Sequence, residues 1–121
     1  MNSNLKMLPK YEEYIVYINN MLISSPKTCR LSIGDELRKS MYNALYQIYR
    51  VIYITNGKIR YSICNELDAL FSYQRAIIRS MYELKYIDLK KKINSIKLLG
   101  ELGCMLGAYV KSIGIDYGKN V

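Results

Sequence analysis

Histidine and tryptophan are both missing from this chain, and phenylalanine occurs once. Without histidine, the side chain most often used as a general base and metal ligand near neutral pH is unavailable. No serine sits in a recognisable nucleophile motif, and there is no glycine-rich phosphate loop of the P-loop or dinucleotide type. The glutamates at 66, 83 and 101 are not followed by the Glu-x-x-His of carboxylate-bridged metal bundles. Asp35-Glu36 and the pair Glu66/Asp68 read as charges complementing a helix start. These gaps predict no catalytic residues, no metal site and no cofactor. Cysteine is scarce as well: Cys29, Cys64 and Cys104 form no Cys-x-x-Cys pair, which argues against a zinc site or a disulfide framework. Cys64 and Cys104 read as small apolar residues. No segment has the pattern of a signal peptide, and Lys97, Glu101 and Lys111 interrupt the one stretch that approaches a membrane span. The expectation is a reduced, cytoplasmic protein.

What remains is helical. The 121 residues are 50% apolar with only two prolines, which predicts one domain over residues 1–121 with long uninterrupted elements. Leu8, Tyr11, Ile15, Ile18 and Leu22 recur in steps of three and four, as do Leu37, Met41, Ala44 (with Leu45), Ile48 and Ile52. A third register runs Ile63, Leu67, Leu70, Gln74, Ile77, Met81, Leu84, and a fourth Leu89, Ile93, Ile96, Gly100, Gly103, Gly107, Val110. These are the core stripes of bundle helices. Ser24-Ser25-Pro26 breaks the first, Ser32-Ile33-Gly34-Asp35 has the form of a capping box, Asn56-Gly57 is a stop and turn, and Asp88 can cap the last helix, which Gly114 closes. The predicted helices are 6–25, 32–56, 59–85 and 88–113. Their short connections predict an all-α fold, an antiparallel up-down four-helix bundle.

Three features go beyond a core. Gly100, Gly103 and Gly107 fall inside the last helix, where each costs about 1 kcal/mol against alanine; close approach of a neighbouring helix is the expected compensation, making them helix-packing residues. Tyr42, Tyr46, Tyr49 and Tyr53 form a second stripe about 100° round the second predicted helix from its core set. That stripe is open to three readings: a broad core face with snorkelling hydroxyls, an oligomer interface, or rings stacking on bases of single-stranded nucleic acid. Interface is favoured for part of it.

The third feature is charge. The chain carries 18 Lys+Arg against 10 Asp+Glu, a formal +8, and the excess begins after residue 26. Such a balance points to a polyanionic partner, nucleic acid above all. The candidate nucleic-acid-binding residues are Lys27, Arg30, Arg38, Arg75, Arg79, Lys90, Lys91 and Lys92. The three lysines open a helix, where the macrodipole disfavours them. Arg75 and Arg79 could equally pair with Glu83 and with Glu66 or Asp68.

Two segments carry a resemblance. Lys27-Thr28-Cys29-Arg30-Leu31-Ser32-Ile33-Gly34-Asp35-Glu36-Leu37 is similar to a basic-Arg-aromatic/aliphatic-x-x-Gly-x-x-Leu start of the second helix, and Leu99-Gly100-Glu101-Leu102-Gly103-Cys104-Met105-Leu106-Gly107-Ala108-Tyr109-Val110-Lys111 to a Glu-x-Gly-x-Met-x-Gly-Gly-Trp-x-Lys close. Ala108 and Tyr109 stand where glycine and tryptophan are common, and Leu31 where an aromatic is frequent. In order and spacing the chain resembles, over about residues 7–113, the four-helix-bundle family of diversity-generating retroelement accessory variability determinant (Avd) proteins and ribosomal RNA intervening-sequence proteins. The resemblance implies a homo-oligomeric ring, a homopentamer. It also implies binding of a reverse transcriptase and of template-repeat RNA (or DNA, or an RNA–DNA hybrid), in support of mutagenic cDNA synthesis without catalysis. The intervening-sequence branch implies the alternative, a self-associating bundle with a protein partner and no nucleic-acid role.

Overall fold

In the computed structural model, the backbone of residues 3–120 and the side chains of residues 6–113 are described. Among the described residues every regular element is a helix: α1 (Ser3–Ile23), α2 (Lys27–Arg30), α3 (Ile33–Tyr53), α4 (Gly57–Glu83) and α5 (Leu89–Asn120). α1 and α4 each pack against both α3 and α5, giving an all-helical bundle around one core. The expected first loop contains the single-turn α2. α1 extends through Pro9 back to Ser3, and α5 runs past Gly114 to Asn120, so that glycine closes nothing.

The helix ends follow from side-chain chemistry. α1 stops where the Ser25 hydroxyl donates to the Leu22 carbonyl at 2.7 Å, with Pro26 unable to continue the ladder. The Arg30 guanidinium then donates to the Ser25 carbonyl at 2.6 Å. Ser32 does not form the expected capping box: its hydroxyl donates backward to the Thr28 carbonyl at 2.6 Å. Asn56 is a cap rather than only a stop, accepting from the Ile59 amide at 3.1 Å. Asp88 caps α5 as expected, accepting from the Lys91 amide at 2.8 Å.

The core confirms the registers of α1 and α3, where Tyr11, Ile18, Leu22, Leu37, Met41, Ala44 and Ile48 are buried. It also takes in Met7, Tyr14, Phe71 and Ile78. α5 is different. Leu89 and Ile93 are exposed, and the buried line is Ser95, Leu98, Leu99, Leu102, Leu106, Tyr109 and Ile113. Both lines have helical spacing, and area decides between them. A buried leucine contributes about 1.5–3 kcal/mol, whereas a glycine offers no side chain to bury. The third register likewise ends early, leaving Leu84 56% exposed beyond the end of α4.

The glycines therefore change role. A Cβ built on Gly100, Gly103 or Gly107 meets nothing within 4 Å, so these residues do not admit a neighbouring helix of the same chain. The position that does require glycine is Gly34, where a Cβ would lie 2.7 Å from the Cys29 carbonyl oxygen and 3.0 Å from Leu22 Cδ2. Cys64 is buried as expected, but Cys104 is exposed on α5. Burial pushes the Cys64 thiol up to about 11, partly offset by Arg60.

A polar cluster crosses the core. Tyr11 donates to the Met41 carbonyl at 2.7 Å, Tyr14 donates to Gln74 Oε1 at 2.8 Å, and Gln74 Nε2 donates to Ser40 Oγ at 3.2 Å. Gln74 is fully buried, and its amide ties α1, α3 and α4 together.

Two predictions follow from this packing. Gly34→Ala loses about 1–3 kcal/mol through overpacking against backbone, whereas Gly103→Ala gains about 0.5–1 kcal/mol by helix propensity. Urea unfolding of the two variants measures both signs. The buried Tyr11 and Tyr14 hydroxyls, held above the ordinary value of 10.0 chiefly by desolvation, stay protonated while the unfolded chain ionises. Stability thus falls as pH rises above about 10, with Tyr14→Phe flattening that slope in denaturant titrations at successive pH values.

Candidate nucleic-acid interface

The cations predicted to meet a polyanion come from four separated segments, and direct contacts join several of them. The Lys91 ammonium donates to Ser24 Oγ at 3.0 Å, bringing the first turn of α5 against the end of α1. The Arg30 guanidinium holds the adjoining Ser25 carbonyl, so Arg30 and Lys91 bond neighbouring residues of the α1–α2 connection. Lys92 sits over the Tyr82 ring, 4.5 Å from its centroid, which places the last turn of α4 in the same neighbourhood. Arg79 precedes Tyr82 by three positions and Arg75 lies one turn earlier. Tyr73, two residues before Arg75, donates to Glu36 at 3.0 Å and so draws the start of α3 alongside.

The eight candidates are not equally free to meet a ligand. Arg38 pairs with Asp35 at 2.9 Å and shares it with Lys39 at 3.2 Å; the two cations hold the Asp35 carboxyl below the usual range. Arg30 is spent partly on main-chain carbonyls. Arg75 donates to Ser72 at 3.0 Å. Neither it nor Arg79 makes an ion pair among the described residues, so the expected seam with Glu66, Asp68 or Glu83 does not form. Lys27, Arg79 and Lys90 are exposed. Exposed Glu36, Glu83 and Asp88 accompany these cations, so both signs of charge are displayed.

The connection between α4 and α5 falls where the sequence places a break, but its backbone form is new. Lys85 occupies the left-handed region at φ 64°, normally a glycine position. The Lys85 amide bonds the Tyr82 carbonyl at 2.9 Å and the Tyr86 amide bonds the Met81 carbonyl at 2.9 Å, the paired bonds of a Schellman ending. The chain so turned lines an open cavity of about 420 Å³ with Tyr82, Glu83, Lys85, Tyr86, Ile87, Asp88 and Lys91. A smaller cavity of about 200 Å³, lined by Tyr17, Asn20, Met21 and Lys91, shares Lys91 with it. No glycine marks this turn, so the sequence signals the break but not its left-handed form.

The tyrosine stripe is on the outside. Tyr42, Tyr46, Tyr49 and Tyr53 are 44%, 64%, 40% and 80% exposed, which removes the broad-core reading. The Tyr42 hydroxyl accepts from Asn19 Nδ2 at 3.2 Å. Val16 and Ile23 of α1 are also exposed apolar residues. Among the described residues no helix is long and apolar enough to cross a membrane, and no group of three or more His, Cys, Asp or Glu gathers in one place. Compared with family models, with curated proteins and with solved structures, the chain matches none.

The left-handed lysine provides a direct check on this geometry. Lys85→Gly removes a Cβ penalty of about 1–2 kcal/mol and raises the melting temperature, provided the turn is built as described. An unchanged or lowered melting temperature would contradict that backbone.

Proposed function

We infer that this protein is a non-catalytic accessory protein of a diversity-generating retroelement, of the Avd type. In this reading it is cytoplasmic and binds both the reverse transcriptase and template-repeat RNA through its basic surface. The observation that carries the reading is that Lys91 and Arg30 bond the adjoining Ser24 and Ser25, which joins the cations of the α1–α3 connection to the lysine run that opens α5. Phosphates are held by such clusters without being read in sequence.

The reading includes an antiparallel up-down bundle. Its support is the opposed order of contacts along neighbouring helices. Lys10 pairs with Glu101 at 2.9 Å while Ser24 meets Lys91, and Arg60 bonds Tyr109 while Tyr82 meets Lys92. It also includes a homo-oligomeric ring, a pentamer. The exposed stripe of Tyr42, Tyr46, Tyr49 and Tyr53 would supply one subunit contact, and the open Gly100, Gly103 and Gly107 line gives room for close approach from outside the protomer.

The test is RNA binding by template-repeat and scrambled transcripts across a salt series, with the oligomer mass measured in the same buffer. Affinity is expected to fall steeply with salt as counterions are released. Reversing Lys90, Lys91 and Lys92 to glutamate is expected to abolish most of that affinity while circular dichroism stays unchanged. No binding at low salt would overturn the reading. A stable ring without RNA affinity would favour the second reading, a self-associating bundle of the intervening-sequence type with a protein partner only. The four exposed tyrosines support that reading independently of charge.

A further inference from the structure

We propose that the two cavities flanking Lys91 together hold a dinucleotide step of single-stranded nucleic acid, with one unstacked base in each and the intervening phosphodiester on the Lys91 ammonium. The proposal rests on the nucleic-acid-binding reading above and goes further, assigning a ligand form and residues that charge alone does not single out.

The shape fits the ligand. The larger cavity, at about 420 Å³, lies within the roughly 300–1,000 Å³ of small-ligand sites. Its walls carry two half-buried tyrosines, Tyr82 and Tyr86, and its Ile87 is buried. Lys92 already occupies a position over the Tyr82 ring, leaving Tyr86 as the ring available to a base. The smaller cavity offers Tyr17, also half-buried, beside Met21. Lys91 lines both, so each cavity offers a ring and the two share one cation, the inventory that a base, phosphate, base step requires. Aromatic stacking beside backbone-tracking cations is how single strands are held without sequence readout.

The local charge agrees. Lys91 is restrained by its bond to Ser24 Oγ, whose own hydrogen is directed to the Asn20 and Met21 carbonyls, and the ammonium keeps two further hydrogens for a phosphate oxygen. Lys85 is exposed at the lip of the larger cavity. Two carboxylates also line that cavity. Asp88 is occupied in capping the Lys91 amide, and Glu83 is exposed to solvent. A free phosphate dianion inside the larger cavity would face Glu83, whereas a phosphodiester at Lys91 carries one charge and meets the cation that the two cavities share. This favours an internal nucleotide step over a terminal phosphate.

The experiment is calorimetric titration of the full chain with adenylyl-adenosine (one phosphodiester between two bases), adenosine monophosphate and inorganic phosphate at low salt. The dinucleoside is expected to bind at least about tenfold more tightly than the mononucleotide, reflecting a second stacked base, with inorganic phosphate weakest. Lys91→Met and Tyr86→Leu each weaken the dinucleoside about tenfold, while Tyr86→Phe, which keeps the ring, retains its affinity and controls for folding. Dinucleoside binding no tighter than phosphate, or equal in Tyr86→Leu and wild type, overturns the site. If long transcripts still bind in that case, the site alone fails; if they do not, the broader reading fails with it.

Discussion

The amide of Gln74 is the fixed point of this structure. It is wholly buried, and it accepts from Tyr14 of α1 while donating to Ser40 of α3. A buried amide left without partners costs about 1–3 kcal/mol, so sliding any of the three helices by a turn is penalised in addition to the loss of apolar packing. Hydrophobic contacts alone tolerate such slips, because methyl groups do not distinguish one turn from the next. The polar cluster does distinguish them, and Tyr11, bonded to the Met41 carbonyl and stacked at 6.0 Å on Phe71, locks the same register from the other side. The start of α3 comes alongside α4, and the end of α1 alongside α5, because these registers hold.

How much of this was legible in the sequence differs helix by helix, for physical reasons. α1 and α3 were readable because large apolar residues and helical spacing coincide there. α5 was not, because two lines of correct spacing run along it and only the areas of Leu98, Leu102, Leu106 and Tyr109 choose between them. Asp88 was identified as a cap since its carboxylate has an amide within reach three residues on. Ser32 has the same local pattern, but its hydroxyl finds the Thr28 carbonyl instead, an option created by the single turn of α2. The glycine that packing requires, Gly34, lay in a segment read for its capping chemistry. The candidate interface was legible as a set of cations, and the Lys85 turn that shapes its larger cavity was not, because a lysine in the left-handed region leaves no compositional mark.

Charge placement gives the molecule a polarity. Three consecutive lysines at the start of α5 oppose the helix macrodipole, a cost of about 0.3–1 kcal/mol each at low salt. The chain relieves part of this internally: Asp88 caps the turn, Lys91 finds Ser24 and Lys92 finds the Tyr82 ring. Those contacts hold the lysines in place without neutralising them. Lys10 shows the contrasting solution on α1, where two carboxylates, Glu101 and Glu13, bond the ammonium and raise its proton affinity.

The exposed glycines of α5 have a mechanical consequence. Helices bend where the outer face is poorest in helix-forming side chains, and glycine is a common site of such bends. In α5 all three fall between Leu99 and Ala108, near the middle of a 32-residue rod, and no side chain braces them from outside. Helix propensity is therefore lowest at the rod's midpoint. Both halves are held to the bundle, the first through Lys91 and Lys92 and the second through the buried Leu106, Tyr109 and Ile113 and the Arg60–Tyr109 bond, so the glycines soften only the outer wall of a rod anchored on either side of them.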